Sequence, residues 1–201
     1  AHPRPYFLFV GRLEKIKGVQ TLLPVFRRYP HAELLVAGGG TYEDELRRMA
    51  AGMKNVHFLG SVPQSRLRSL YRGALAVLVP SLCYEVFGII IIEAFIQKTP
   101  VIVHSLGALP EVVEQSKGGM TYSTPEEMIS AMEQLRGSPA LRRELGEKGH
   151  KAWLSCWSEE PHLEMYFRLL EETSEKKWGR VPWNSPRESG GRVHTGAAGG
   201  S

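Results

Sequence analysis

The run Ala74-Leu75-Ala76-Val77-Leu78-Val79 constrains the fold more than any other stretch. It is apolar at every position and lacks the alternation of a strand with one wet face, so it must be covered on both sides. Other short β-rich runs stand at Tyr6–Val10, Glu33–Ala37, Val56–Leu59, Val101–His104 and Gly119–Tyr122, and this one spans Leu75–Val79 as a strand. Between them lie amphipathic stretches at Gly18–Arg28, Tyr42–Met53, Gln64–Arg72, Gly88–Lys98 and Leu109–Glu114. Strand–helix alternation of this kind predicts βαβ units and a parallel sheet with helices on both faces. Helical patterns at Pro125–Arg136, Pro139–Leu154 and Ser158–Glu172 finish the chain's folded part. The expectation is one doubly wound α/β domain over residues 1–173.

From Ser174 onward the composition turns to Gly, Ser and cations, with few branched aliphatics. Such a segment buries too little apolar surface to offset its ordering entropy, so residues 174–201 read as a disordered Gly/Ser-rich tail. The tail holds five of the basic residues against two acidic ones, and so +3 of the formal charge of +4. What remains is nearly neutral, which argues against a nucleic-acid groove. No run approaches the roughly 20 apolar residues of a membrane span. Two cysteines, Cys83 and Cys156, support neither a disulfide framework nor a four-thiolate metal site, and a reducing, cytoplasmic setting is expected. The chain does not open on Met and reads as a fragment.

Among the 21 acidic residues Asp44 is the only aspartate. An Asp-x-Asp site for a metal–phosphate complex therefore cannot form, nor can an EF-hand loop. Phosphate charge must be met by Arg, Lys or backbone N–H groups, with no metal and no cofactor. In open α/β sheets ligands bind beyond the carboxyl ends of the strands, so each strand-to-helix junction is a place to look. The first, Gly11-Arg12-Leu13-Glu14-Lys15-Ile16-Lys17-Gly18, offers Arg12 and Lys17 to an anion, although ordinary surface cations would look the same. The second, Gly38-Gly39-Gly40, fails the dinucleotide pattern, because Glu43 stands where a third glycine is needed and no acid ends the next strand. Its glycines read as a flexible turn near a ligand. The fourth carries Glu85 before a helix that starts near Gly88, and Glu93 within that helix. The open N–H groups at Gly88, Ile89 and Ile90 form an anion site, and a carboxylate on either side could hold hydroxyls. A helix cap and a structural ion pair are the bland alternative. His57, His104 and Cys83 take structural readings.

Phe9–Gly18, Leu34–Gly40, Phe58–Pro63, Pro80–Ala94 and Pro100–Glu111 together resemble the carboxyl-terminal, donor-binding domain of family 4 retaining GT-B glycosyltransferases. Glu85 and Glu93 match the family's Glu-x7-Glu pair, and Gly11, Arg12, Leu13, Lys17 and Gly18 match its Gly-Arg-Leu…Lys-Gly segment. Two departures stand out: Gly107-Ala108-Leu109-Pro110-Glu111 replaces Gly-Gly-x-Pro-Glu, and Gln97-Lys98-Thr99-Pro100 lacks the glycine usual before Thr-Pro.

The resemblance implies a Rossmann-like half of a GT-B fold that binds a UDP- or GDP-hexose. Arg12 and Lys17 would take the diphosphate, and Phe87, Gly88, Ile89 and Ile90 would add contacts to phosphate or sugar. Glu85 would hold the sugar hydroxyls, Glu93 the ribose, and backbone at Val62 the base. Arg12, Lys17 and Glu85 would be the residues at the reacting centre of a hexosyltransferase. The acceptor half would come from an amino-terminal domain or a partner subunit, so this chain alone is expected not to turn over. The rival reading is a non-catalytic nucleotide-sugar-binding subunit of a split enzyme. A Rossmann-like oxidoreductase is disfavoured by the failed glycine pattern.

Overall fold

A computed structural model describes residues 2–86, 88–179 and 181. The chain divides into two units, Ala1–Ser158 and Glu159–Ser201. In the first, six strands form one parallel sheet: β1 (Tyr6–Val10), β2 (Glu33–Ala37), β3 (Val56–Gly60), β4 (Val77–Val79), β5 (Val101–His104) and β6 (Gly119–Tyr122). Their spatial order is β3-β2-β1-β4-β5-β6, parallel throughout. The connecting helices are α1 (Val19–Arg28), α2 (Glu43–Met49), α3 (Gln64–Gly73), α4 (Ile89–Ile96), α5 (Leu109–Ser116), α6 (Pro125–Gly137) and α7 (Pro139–Ala152).

Alternation along the strands sorts side chains into two cores. Phe7, Phe9, Leu34, Val36, Leu78 and Ile102 face one way, against Leu22 and Phe26 of α1, Leu46 of α2, and Met128 and Met132 of α6. Tyr6, Leu8, Leu35, Val77, Val101 and Val103 face the other, against Leu67 and Tyr71 of α3, Ile91 and Phe95 of α4, and Val112 of α5. A sheet covered on both faces is what the unalternating hexapeptide demands, and its hydrogen bonds to β1 already start before β4 proper, from the Leu75 N–H to the Tyr6 carbonyl at 2.8 Å.

Local signals fix several helix starts. Thr124 Oγ1 accepts the Glu127 N–H, Pro125 opens α6, and Glu127 Oε2 accepts the Ser123 N–H, forming a reciprocal cap. At α7 Ser138 Oγ accepts the Leu141 N–H and Pro139 opens the helix, without a reciprocal partner among the described residues. Where the family's glycine is missing, Lys98 itself takes a left-handed φ of 58°. The helix-ending turn needs that conformation, and Lys98 adopts it despite its Cβ.

Two expectations need correcting. α2 is a short helix that stops at Met49 rather than Met53. In the second unit the last helix, α8 (Glu159–Trp178), runs past Glu172. Ser174–Trp178 thus belong to a helix rather than to a tail, because Glu175, Lys176 and Lys177 are good helix formers and Ser174 is buried. Residues 182–201 of the expected tail, and Arg180, lie outside the described residues. Among the described residues no helix is long and apolar enough to cross a membrane.

Candidate functional site

After β3 the chain crosses back to lay β4 beside β1, so strand order reverses between these two neighbours. At their carboxyl ends the loops diverge and leave a crevice. A cleft of about 440 Å³ opens there, lined from the β1 side by Gly11, Arg12 and Lys17, and from the β4 side by Ser81, Tyr84, Glu85, Gly88, Ile89 and Ile90. Two junctions distant in sequence thus meet in one site.

A glycine contact locks the loops together. Gly18, at φ 79°, lies so close to the β4 loop that a Cβ would stand 1.9 Å from the Pro80 carbonyl oxygen. The Leu82 N–H donates to the Ile16 carbonyl at 2.8 Å beside it. This approach lets the Lys17 ammonium reach Glu85, donating to Oε1 at 2.6 Å, while the Ser81 hydroxyl donates to the same oxygen at 2.8 Å. Burial pushes the Glu85 carboxyl up, but Lys17 and Ser81 outweigh it and hold the group below the ordinary carboxylate range. Lys17 and Glu85 are both largely covered, with side chains 24% and 20% exposed. Arg12 is different: its side chain is 73% exposed and pairs with Glu14 at 2.7 Å on the rim.

α4 begins at Gly88, and among the described residues no side chain caps it. The cleft is lined by Gly88, Ile89 and Ile90, so the positive end of the helix dipole lies at its wall. Phe87, singled out from the sequence, lies outside the described residues. Val62 lines a second cleft, of about 290 Å³, which shares Val10, Gly11 and Arg12 with the first. Gly38 and Gly39 border it, and the run carries a steric demand beyond the turn expected of it. A Cβ on Gly38, at φ 132°, would come within 1.9 Å of the Gly11 carbonyl oxygen, so the first two βα loops pack backbone to backbone.

Glu93 is not among the residues that line either cleft. It follows Ile89 and Ile90 by one turn on the same face of α4, and its Oε2 accepts the Tyr71 hydroxyl at 2.7 Å. Burial, reinforced by the Glu93 carboxylate, pushes the Tyr71 phenol up, so it stays protonated and donates. Ser81, Tyr84 and Tyr71 escaped the sequence reading. Ser81, four residues before Glu85 at the end of a buried strand, carried a signal; Tyr71, on a different helix, carried none. His104 fits its structural reading: Nδ1 lies 2.8 Å from the Ser81 carbonyl and the ring stacks on Tyr122. The Cys83 thiol lies 3.8 Å from Glu85 Oε1. His57 Nε2 lies 3.2 Å from Glu33 Oε2, a contact that is not a hydrogen bond.

Comparison with known proteins bears on the family and the fold. The profile of the family described as glycosyl transferases group 1 matches residues 1–152. An uncharacterized glycosyltransferase of Methanocaldococcus jannaschii is 39% identical over 119 residues, which cover 56% of this chain and 30% of that protein. Sucrose-phosphate synthase from Thermosynechococcus elongatus superposes with a TM-score of 0.74 at 27% identity, over 86% of this chain and 47% of the other. HepE of Anabaena, solved in complex with UDP, shares the fold with a TM-score of 0.73 at 19% identity, over 83% and 49% of the two chains. The chain spans between 30% and 42% of the length of the first curated relatives it matches.

Proposed function

The chain belongs to the group 1 glycosyl transferases, and from that membership we propose that it forms the donor-binding half of a retaining family 4 enzyme. The reaction moves a hexose from a UDP- or GDP-hexose to an acceptor hydroxyl, in a cytoplasmic setting consistent with the free thiols of Cys83 and Cys156. The observation that carries this reading is the meeting of Lys17, Glu85 and the α4 start in one cleft at the strand reversal. The UDP found in the Anabaena neighbour supports a nucleotide ligand.

The donor would lie across both clefts, with its base toward the Val62 backbone, its diphosphate on Arg12 and Lys17, and its hexose at Glu85. As the bond between the anomeric carbon and the β-phosphate oxygen breaks, negative charge gathers on that oxygen. Lys17, Arg12 and the N–H groups from Gly88 to Ile90 stabilise this charge more than the ground state. A new bond forms from the acceptor oxygen to the anomeric carbon on the same face, and the acceptor's proton passes to the departing phosphate. No metal is needed in this scheme, because two cations and a helix end supply the countercharge. Glu93 would use its second oxygen for ribose while Tyr71 orients the first. The acceptor half would come from an amino-terminal domain or a partner subunit that closes over the donor.

Titration calorimetry with UDP, GDP and their hexose esters in excess EDTA tests the proposal. Binding should persist without divalent metal, and Lys17→Ala should weaken it roughly 10- to 100-fold, the worth of a charge-assisted hydrogen bond. Binding that disappears on chelation, or that ignores Lys17→Ala, would overturn the reading.

A further inference from the structure

At the opposite edge of the sheet, near the amino ends of the strands, His2, Glu33 and His57 bring one donor atom each to within 4.8 Å of one another. We propose that these three side chains form a binding site for a first-row divalent cation, zinc above all, remote from the donor cleft. Two imidazoles and one carboxylate suit zinc, which accepts three protein ligands with a fourth position left to water.

The site is built on the sheet. Tyr6 pairs with Glu33 and Leu35 with His57, so Glu33 and His57 share the face that carries Tyr6, Leu8 and Leu35. Strands hold ligands more rigidly than loops do, and here only His2 comes from outside a strand. Its ring sits edge-on to Tyr6 and 5.9 Å from the ring of His57.

Glu33 is 5% exposed, an uncommon place for a carboxylate at a strand start. Its two oxygens are used differently. Arg4 approaches Oε1 at 3.4 Å, while both imidazoles present Nε2 to Oε2: His2 in close contact and His57 at 3.2 Å. The His57 contact is not a hydrogen bond, and His57 Nε2 is buried with no other partner. A buried polar atom without a partner is costly and demands an explanation. The ion pair with Glu33 leaves that nitrogen without a hydrogen bond. A cation among the three donors satisfies it instead, together with the shared carboxylate oxygen, and leaves Arg4 as an outer partner that orients Oε1. Bound there, the cation would tie the segment before β1 to β2 and β3.

The test is titration of the EDTA-stripped, dialysed chain with Zn²⁺ by calorimetry and with Co²⁺ by visible absorption. One equivalent should bind, Zn²⁺ should raise the melting temperature, and cobalt should give ligand-field bands of an imidazole–carboxylate site. His57→Ala and the double variant His2→Ala/His57→Ala should each lose more than the roughly 10- to 100-fold that removing an outer partner costs. UDP affinity should be the same in these variants as in the parent chain. Failure of the parent chain to bind saturably would overturn the site, as would stoichiometric binding that survives in the double variant. Both imidazoles are partly exposed, at 23% and 40%, so the variants are expected to fold; a circular dichroism spectrum matching the parent's confirms it.

Discussion

Glu85 and Glu93 carry the same charge eight residues apart, yet their surroundings differ in kind. Glu85 sits in the loop before α4, and its Oε1 is shared by an ammonium and a hydroxyl that both line the cleft. Glu93 sits inside α4 and is held by a phenol that is 2% exposed. The first carboxylate has a charged partner that can turn to an arriving phosphate, freeing the carboxylate for a sugar. The second has a neutral, buried partner with nowhere to go. An exchangeable pair suits a group that meets the changing end of the substrate, and a fixed one suits a group that holds an unchanging end.

The comparison depends on the two loops staying in contact, so breaking that contact should have the largest effect. Gly18→Ala places a methyl group 1.9 Å from the Pro80 carbonyl at a left-handed φ. Backbone must move, and strain at such a position costs of order 1–3 kcal/mol before the displaced loop is counted. Chemical denaturation should show about 3 kcal/mol of lost stability, and UDP binding should fall with it as Lys17 draws away from Glu85. A variant as stable as the parent would mean that the β4 loop is not fastened at Gly18.

The two glutamates themselves come next. Glu93→Ala should weaken UDP and UDP-hexose alike, by roughly 10- to 100-fold, if its second oxygen holds ribose. Glu85→Ala should spare UDP and weaken only UDP-hexose. Calorimetry of both variants with both ligands separates the roles. Equal losses for both ligands in Glu85→Ala would reduce the pair to structural ion pairing and capping.

The strands were legible because a sheet buried on both faces writes continuous apolar runs into the sequence, and each of the six was placed within about two residues. The halves of the site were legible too, because Arg12, Lys17, Glu85 and the Gly88 helix start all fall where strands give way to helices. Their partnership was not. Nothing in the spacing of Lys17 and Glu85 says that they touch; that follows from β4 lying beside β1 and from Gly18 admitting the loop. Tyr71 was invisible for the same reason, since a tyrosine on α3 meets α4 only once the sheet is wound. Composition also misled: Ser174 to Trp178 shared the tail's polarity, but their helix propensity carried α8 through them. Lys98 shows the limit of motif reading. The missing glycine is a departure from the family's pattern, whereas the backbone keeps a left-handed turn there with a lysine in it.

The smallest effect tests whether Glu85 is held as an anion by Lys17 and Ser81. Its carboxyl is held below the ordinary range, so it binds protons less readily folded than unfolded. Such a group contributes stability at pH values above its unfolded pKa, and that contribution fades as pH falls through the lower folded value. Glu85→Gln keeps an acceptor for Ser81 but removes the charge. The parent chain should therefore exceed the variant in melting temperature at neutral pH, by an amount equivalent to about 1 kcal/mol or less, because the pair is still partly solvated. The gap should close below the ordinary carboxylate range as Glu85 takes up its proton. Glu33, also held low, titrates alike in both proteins and cancels from the difference. A gap that stays constant from neutral to acid pH would show that the Lys17–Glu85 contact carries no charge-dependent stability, leaving Glu85 no more exchangeable than Glu93.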